Sequence, residues 1–349
     1  MPDIAIVILN WNGKAFLEVF LSPLLDSIAS SNAEVVVADN GSTDGSVAFL
    51  QEVYPQLRLI LFDRNHGFTG GYNKALQQIE AKYYILLNSD IEVDPNWLKP
   101  LADFMEGNAH VGICMPKMLS LKQPEYFEYA GACGGFIDRF GYPFCRGRIL
   151  SYIEKDTGQY DTPLQIFWAS GACLMIRAAL FHELGGFDER FFAHMEEIDL
   201  CWRAQLAGHQ VWVVPASKVF HVGGGTLPSD APQKLYLNYR NNLWMLYKNL
   251  PKRRRFVVLA SRILFDYLSA FVYLIQGKPV LFLAVWRAHC HFWKRRKTMV
   301  SARKGAINRA LTTTIWDGSI VLGFFLHRKN PTFDGIVGKS PINHLQPPF

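Results

Sequence analysis

The chain has 349 residues, half of them hydrophobic and 19% charged, which is enough to bury a full core and too apolar for disorder. Six scattered cysteines form no CxxC pair and no zinc spacing, which argues against a disulfide framework or zinc domain and suits reduced thiols in the cytoplasm. Residues 1–250 carry 19 Lys and Arg against 27 Asp and Glu, a net of −8, while residues 251–304 carry 13 against 1, a net of +12, so an acidic body precedes a segment suited to an anionic surface.

The chain opens Met1-Pro2-Asp3 and enters an apolar strand with no basic run or cleavage site, so no signal peptide is expected. The run Ile4–Leu9 reads as a strand covered on both faces. A helix over about 15–29 follows, then a strand over 34–38 and a helix to about Tyr54 that Ser42 or Thr43 can cap. A third strand spans 57–61, Thr69 opens another helix near Gly70-Gly71, and Tyr83–Leu87 is the fourth strand. This βαβαβαβ order predicts an α/β fold, a Rossmann-like, mostly parallel sheet flanked by helices, with ligands beyond the carboxyl ends of its strands. Short strands and Gly-rich loops fill 110–230 around a helix over about 196–207, which Gly208 can end, and a further helix spans about 232–249. Beyond Pro251 two apolar stretches, Phe256–Ile275 and Val280–Trp293, are bracketed by Lys252–Arg255 and Lys294–Lys297.

Polar residues fall where the strands end. Asn10 and Asn12 follow strand one; Asp39, Asn40 and Ser42 follow strand two; Asn65 and Gly67 follow strand three; Asn88, Ser89 and Asp90 follow strand four. One such end is an ordinary turn, but four on one edge point to a binding crevice. No GxGxxG follows strand one and no GxxxxGK[ST] occurs, so a bound diphosphate needs its charge offset by a divalent cation, with Asp90 as the natural ligand and Asn88 on the same side of the chain. At helical spacing Glu196, Asp199 and Arg203 share one face, with Glu197 about 100° around. Acidic residues at a helix start suit its dipole, and in an anionic pocket one of them is also a candidate general base. His221, a residue type commonly structural near a strand end, precedes Gly223-Gly224-Gly225 and is a candidate metal or phosphate contact.

Taken together, these residues resemble family 2 glycosyltransferases, particularly the rhamnosyltransferase-like branch acting on bacterial surface polysaccharides. The likeness is carried by Ile8–Gly13, Asp39–Gly45, Asn65–Phe68, Asn73, Leu86–Asp90, Ser170–Arg177, Gly185–Asp188, Glu196–Arg203 and His221–Gly224. It implies a GT-A catalytic domain over 1–250, with a nucleotide-sugar half over 1–110, an acceptor half over 111–250, and a helical extension over 251–349. It further implies that Asp39 reads the base of a uridine or thymidine diphosphate sugar, that Asn65 and Gly67 line the nucleotide pocket with Asn73 among the nucleotide-sugar contacts, that Asp90 holds Mg²⁺ or Mn²⁺ with His221, and that Glu197 is the catalytic base. Asn88 replaces the first Asp of the family's DxD, and Glu197 replaces its usual Asp, so Glu196, Glu197 and Asp199 compete for the role of base, with Glu197 preferred.

The expected reaction is inverting transfer of a sugar to a hydroxyl of a saccharide or lipid-linked saccharide. A sugar nucleotidyltransferase is disfavoured because no basic Gly-rich signature lies near the N-terminus; a non-catalytic nucleotide-sugar-binding module is the other alternative. Phe256–Ile275 is just long enough to span a bilayer, but Arg262 and Asp266 each cost ~2.5–3.5 kcal/mol at its centre. Peripheral, in-plane attachment to the inner face of the cell membrane is therefore preferred over packing on the catalytic domain or insertion. No nucleic-acid partner is expected, because the basic runs bracket apolar helices.

Overall fold

The computed structural model describes residues 2–223, 231–302, 314–327, 329 and 331–338. Gly224 and Gly225, two of the three glycines after His221, lie outside the described residues. In chain order, β1 (Ile4–Asn10), α1 (Lys14–Ile28), β2 (Ala33–Asp39), α2 (Ser46–Val53), β3 (Arg58–Leu61), α3 (Gly67–Leu76) and β4 (Tyr83–Leu87) form the first half. Then come β5 (Ile91–Val93), α4 (Leu98–Gly107) and the long β6 (Val111–Ser120). Five short strands follow: β7 (Gly135–Asp138), β8 (Pro143–Cys145), β9 (Arg148–Ile149), β10 (Tyr152–Ile153) and β11 (Leu164–Ile166). Next are β12 (Cys173–Arg177), α5 (Ala178–Glu183), α6 (Glu196–Leu206) and β13 (Gln210–His221). The remainder holds α7 (Pro232–Asn249), α8 (Lys252–Ile275), α9 (Pro279–Arg295), β14 (Ile315–Trp316), α10 (Ile320–Leu326) and α11 (Phe333–Ile336).

The main sheet runs β11-β13-β6-β12-β4-β1-β2-β3, with β5 paired to β13. β1 lies parallel to both β2 and β4, and β2 to β3. β12 is antiparallel to β4 and β6, and β13 is parallel to β6. It follows that β1, β2, β3, β4, β6 and β13 all end on one edge, and that β12 starts from it. The apolar run of β1 is buried along nearly its whole length, as helices on both faces require. The sheet is thus mostly parallel and flanked by helices, as the alternating pattern predicts.

A second sheet, β10-β9-β8-β7-β14, stands beside the first. Its last strand comes from far along the chain: Ile315 and Trp316 pair with Ile137 and Asp138 of β7. Phe333 of α11 packs against Phe136, Phe144 and Tyr160. The segment after residue 250 is therefore woven into the body, a feature no local pattern announces.

Several local expectations change. Ser42 and Thr43 do not cap α2; the Asp44 Oδ1 accepts from the Ser46 backbone N–H at 3.0 Å instead, and Ser42 is drawn toward β1. Helix α3 starts at Gly67, two residues before Thr69. Gly67 has φ +73°, and a Cβ there would meet the Phe192 ring at 2.6 Å. The apolar stretch Phe256–Ile275 and the basic run Lys252–Arg255 before it form one helix, α8. Gly208, with φ +96°, follows α6 as expected.

Candidate active site

The shared edge gathers the polar strand ends. Asn10, fully buried, donates from Nδ2 to Asp39 Oδ2 at 2.9 Å and to Ser42 Oγ at 3.1 Å. Asp39 Oδ1 accepts from the Ser42 N–H at 2.9 Å, and the Asn12 N–H donates to Ser42 Oγ at 2.9 Å. Asn12, in the left-handed region at φ 53°, accepts from the Thr43 N–H at 2.7 Å. These bonds lock the ends of β1 and β2 into one rigid turn. Gly13 lies between Asn10 and Ser89: a Cβ there would meet Asn10 Oδ1 at 2.5 Å and Ser89 Oγ at 3.1 Å. The buried Asn10 Oδ1 has no hydrogen-bond partner among the described residues.

Two expected ligand contacts have structural partners. Asn40 is spent on the loop after β3: Nδ2 donates to Asn65 Oδ1 and to the Gly67 carbonyl, both at 3.1 Å, and Oδ1 accepts from the His66 N–H at 2.9 Å. Asn65 Oδ1 also accepts from the Gly67 N–H at 2.7 Å. Asn73 ties α3 to the turn after α5, donating to the Phe187 carbonyl at 2.9 Å and accepting from its N–H at 2.8 Å. Both shape the crevice through the backbone they hold, because their amide groups are already used.

Asp90 and His221 meet at the ends of β4 and β13. The Val222 N–H donates to the Asp90 carbonyl at 3.1 Å, and His221 pairs with Ile91 across β5. His221 Nε2 is 3.2 Å from Asp90 Oδ2, and Nδ1 is 3.2 Å from Glu128 Oε1. Burial alone would favour neutral imidazole, but the two carboxylates more than offset it and raise the His221 pKa to about 10. Asn88 and Ser89 are half-buried beside them. Among the described residues no three His, Cys, Asp or Glu side chains form a ready metal cage. A carboxylate oxygen and an imidazole nitrogen at one point nevertheless suit Mg²⁺ or Mn²⁺, which commonly complete their coordination with substrate phosphates and water.

The acidic helix start lies next door. The Asn88 N–H donates to the Ala172 carbonyl at 2.9 Å, so the Ser170–Ala172 turn abuts the nucleotide edge. On its other side, a Cβ on Gly171 would lie 3.6 Å from Glu197 Cβ and 3.3 Å from the Phe68 ring. Glu197 and the Asn88–Asp90 strand end thus share one turn. Burial raises the Glu197 carboxyl to about 7, with the backbone N–H groups at the start of α6 offsetting part of that rise. Glu196, fully enclosed and beside Glu197, is pushed well above the usual range, first by burial and then by its neighbour's charge. One oxygen of each carboxyl lacks a hydrogen-bond partner among the described residues.

Asp199 is different. Burial would raise it, but Lys248 Nζ at 2.8 Å, Arg203 Nε at 2.7 Å and Asn249 Nδ2 at 2.8 Å hold it ionised, with its pKa lowered. Its oxygens are saturated, which removes it from the candidates for base and makes it a structural hub.

Three contributors were missed in the sequence. Glu128 sits in an unremarkable aromatic stretch, and only the tertiary fold brings it to His221. Lys248 bridges Asp199 and Asp188. Asn241 of α7 donates from Nδ2 to the carbonyls of Phe191 at 3.0 Å, Ala193 at 2.8 Å and His194 at 2.8 Å. The segment it grips holds three non-glycine residues in the left-handed region, Phe192, His194 and Met195, immediately before Glu196. A cleft of about 330 Å³ opens beside this centre, with Tyr126, Glu128, Tyr129, Ser151, Ile153 and His221 in its walls.

The sequence profile described as Glycosyl transferase family 2 matches residues 5–185. The N-acetylglucosaminyl-diphospho-decaprenol L-rhamnosyltransferase of Mycobacterium tuberculosis is 28% identical over 261 residues, covering 69% of this chain and 83% of that one. The O-antigen biosynthesis protein RfbC of Myxococcus xanthus is 27% identical over 234 residues, covering 66% of this chain and 18% of that one. Among solved structures, GalNAc-T7 with UDP, GalNAc and Mn²⁺ superposes with a TM-score of 0.58 at 15% identity, over 86% of this chain and 57% of that one. Residues 1–349 of S. aureus TarS in complex with UDP-GlcNAc superpose with a TM-score of 0.53 at 14% identity, over 98% and 92% of the two chains. The fold is GT-A, and the nucleotidyltransferase and non-catalytic alternatives fall away. With more than half its length matched and its polar strand ends gathered on one edge, the chain belongs to the family 2 glycosyltransferases.

Proposed function

We propose that this enzyme is an inverting hexosyltransferase. It moves a sugar such as rhamnose, glucose or galactose from a UDP- or dTDP-sugar to a hydroxyl of a saccharide or lipid-linked saccharide, in cell-surface polysaccharide synthesis. It works from the cytoplasm, attached peripherally to the inner face of the cell membrane. The mycobacterial relative, which acts on a lipid-diphosphate-linked sugar, supports this choice of acceptor class.

The observation that carries the reading is Glu197: a half-buried residue whose carboxyl has a pKa near 7, against the same Ser170–Ala172 turn that abuts the Asn88–Asp90 strand end. A base poised near neutral pH holds the right protonation state and still drives proton transfer. The acceptor oxygen forms a bond to the anomeric carbon as the bond from that carbon to the diphosphate oxygen breaks. The electron pair leaves with the nucleoside diphosphate, and the hydroxyl proton passes to Glu197. One displacement inverts the anomeric centre. Asp90 and His221, with Asn88 alongside, would hold a Mg²⁺ or Mn²⁺, which offsets the charge of the diphosphate when bound. Asp39 and Ser42 present the rigid turn against which the base and ribose rest, and Asn65 and Gly67 form its facing wall.

The test is a screen of UDP- and dTDP-sugars for turnover and inversion with added Mn²⁺, run beside Glu197→Gln. Turnover by wild type and its loss in Glu197→Gln, with donor still bound, is the expected result. Near wild-type turnover by that variant would remove Glu197 as the base.

A further inference from the structure

We infer that the outer face of α8 and α9 lies in the surface of an anionic membrane, and that the second sheet joins this face to the rim of the cleft. The acceptor is then a saccharide carried on a membrane lipid. The inference rests on the transfer reading and narrows its acceptor.

α8 has two unlike sides. On the inner side Arg262 and Asp266 are buried, with Arg262 Nη2 3.0 Å from Asp266 Oδ1. Asp266 also meets His289 Nε2 of α9 at 3.1 Å and accepts from the Tyr142 hydroxyl at 3.2 Å. The Arg262 guanidinium lies 3.6 Å from the Tyr142 ring centre, and Phe265 meets Phe140 edge to face. Phe140 and Tyr142 lie in the turn between β7 and β8, so this charged cluster clamps α8 to the second sheet. By length and composition α8 could cross a membrane. Moving α8 into lipid would carry the Arg262–Asp266 pair away from His289 and Tyr142 and leave it in hydrocarbon, so the helix stays on the protein.

The outer side is apolar. Val257, Leu264, Leu268, Phe271 and Ile275 recur at helical spacing and are exposed, Ile275 by 73%. On α9, Leu283, Trp286 and Trp293 are exposed at the same kind of spacing, with the exposed Cys290 among them. The Asp266–His289 contact and the turn at Gly277 make the two helices an antiparallel hairpin. Lys252–Arg255 and Lys294–Lys297 therefore share its open end. The single acid in residues 251–304 is the buried Asp266, so the exposed charge of this face is cationic. Two copies meeting through it would repel; an anionic leaflet complements it.

The cleft adjoins this face. Ile153 of β10 forms part of its wall, and β10 belongs to the sheet that grips α8. Tyr129, on the cleft rim, is 51% exposed. A sugar head anchored by its lipid in the leaflet can enter here without leaving the interface.

The test uses the full chain and vesicles of neutral phosphatidylcholine alone or mixed with anionic phosphatidylglycerol. Cys290, the only exposed one of the six cysteines, carries an environment-sensitive fluorophore. Expected are flotation with the anionic vesicles only, release by high salt, a blue-shifted label, and at least tenfold weaker flotation for Leu268→Glu/Phe271→Glu with donor-nucleotide binding unchanged. In a Cys290→Ser background, a label at Tyr129→Cys should be quenched by headgroup spin-labelled lipid several-fold more than one at Gln51→Cys on α2. Overturning results are no binding to anionic vesicles, retention through salt and alkaline washing, a concentration-dependent dimer that buries the label, or equal quenching at both positions. Donor hydrolysis measured without vesicles stands apart: its absence would count against the transferase reading and leave the membrane result standing.

Discussion

Glu128 Oε1 lies 3.2 Å from Nδ1 of His221, on the opposite side of the imidazole from Asp90. A carboxylate behind a ligating histidine fixes the ring's orientation and tautomer, and losing such a partner typically costs ~10–100-fold in metal affinity. Glu128→Gln should weaken Mn²⁺ binding by about that factor, read by paramagnetic titration, with metal-free nucleotide binding unchanged. An unaltered Mn²⁺ affinity would reduce Glu128 to a wall of the cleft.

The two carboxyls at the start of α6 should separate by function. Glu197→Gln is expected to lower kcat by about 10²–10⁴-fold. Because the Glu197 pKa is raised to about 7, the active, deprotonated base is lost as pH falls through that value. The wild-type rate should therefore rise across neutral pH, and Glu197→Gln should flatten that limb. Burial and the neighbouring Glu197 push the Glu196 carboxyl up, which favours its neutral form, so Glu196→Gln should change kcat by less than about tenfold and leave the limb in place.

Asn241 grips three carbonyls of a segment whose left-handed residues each store of order 1–3 kcal/mol. The same segment meets the nucleotide loop, since the Phe68 N–H donates to the Phe192 carbonyl at 2.9 Å. Asn241→Ala should lower kcat more than it raises donor KM, because Glu197 follows this segment directly while the nucleotide loop is also held by Asn40. Adding His194→Gly, which adopts the same backbone without strain, should restore part of the rate. A fall in thermal stability with kcat intact would make Asn241 a purely structural clamp.

Lys248 holds two buried carboxylates, Asp188 and Asp199, each at 2.8 Å. Lys248→Met leaves both without their shared cation and should destabilise the fold by about 3–5 kcal/mol, visible as a lowered Tm. Both carboxylates have depressed pKa values in the folded chain. Their contribution is complete above the unfolded carboxylate range and is lost as pH falls through the lower folded values. The variant should therefore lose less additional stability in acid than wild type does.

Much of the site was legible because it sits on local patterns. Each of the first four strands ends in polar residues, and parallel pairing brings those ends together whatever the loops do. Helix α7 was readable from Pro232 to Asn249 because Pro and periodicity mark both its limits. What stayed hidden depends on distance in the chain. Asn40 and Asn73 look like ligand contacts until the carbonyls that occupy them are seen. Asp199 stood among the candidate bases because Lys248, 49 residues away, leaves no periodic trace. The same holds for Glu128 and His221.

The pairing of Ile315 with β7 and the insertion of Phe333 among Phe136, Phe144 and Tyr160 bear on how the protein can be handled. Trimming the chain after Asn249 to obtain a soluble catalytic fragment would unpair an edge strand and bare three aromatic rings. The severed piece would include the stitching of the second sheet, so the full chain is a better route to a homogeneous preparation than a shorter gene.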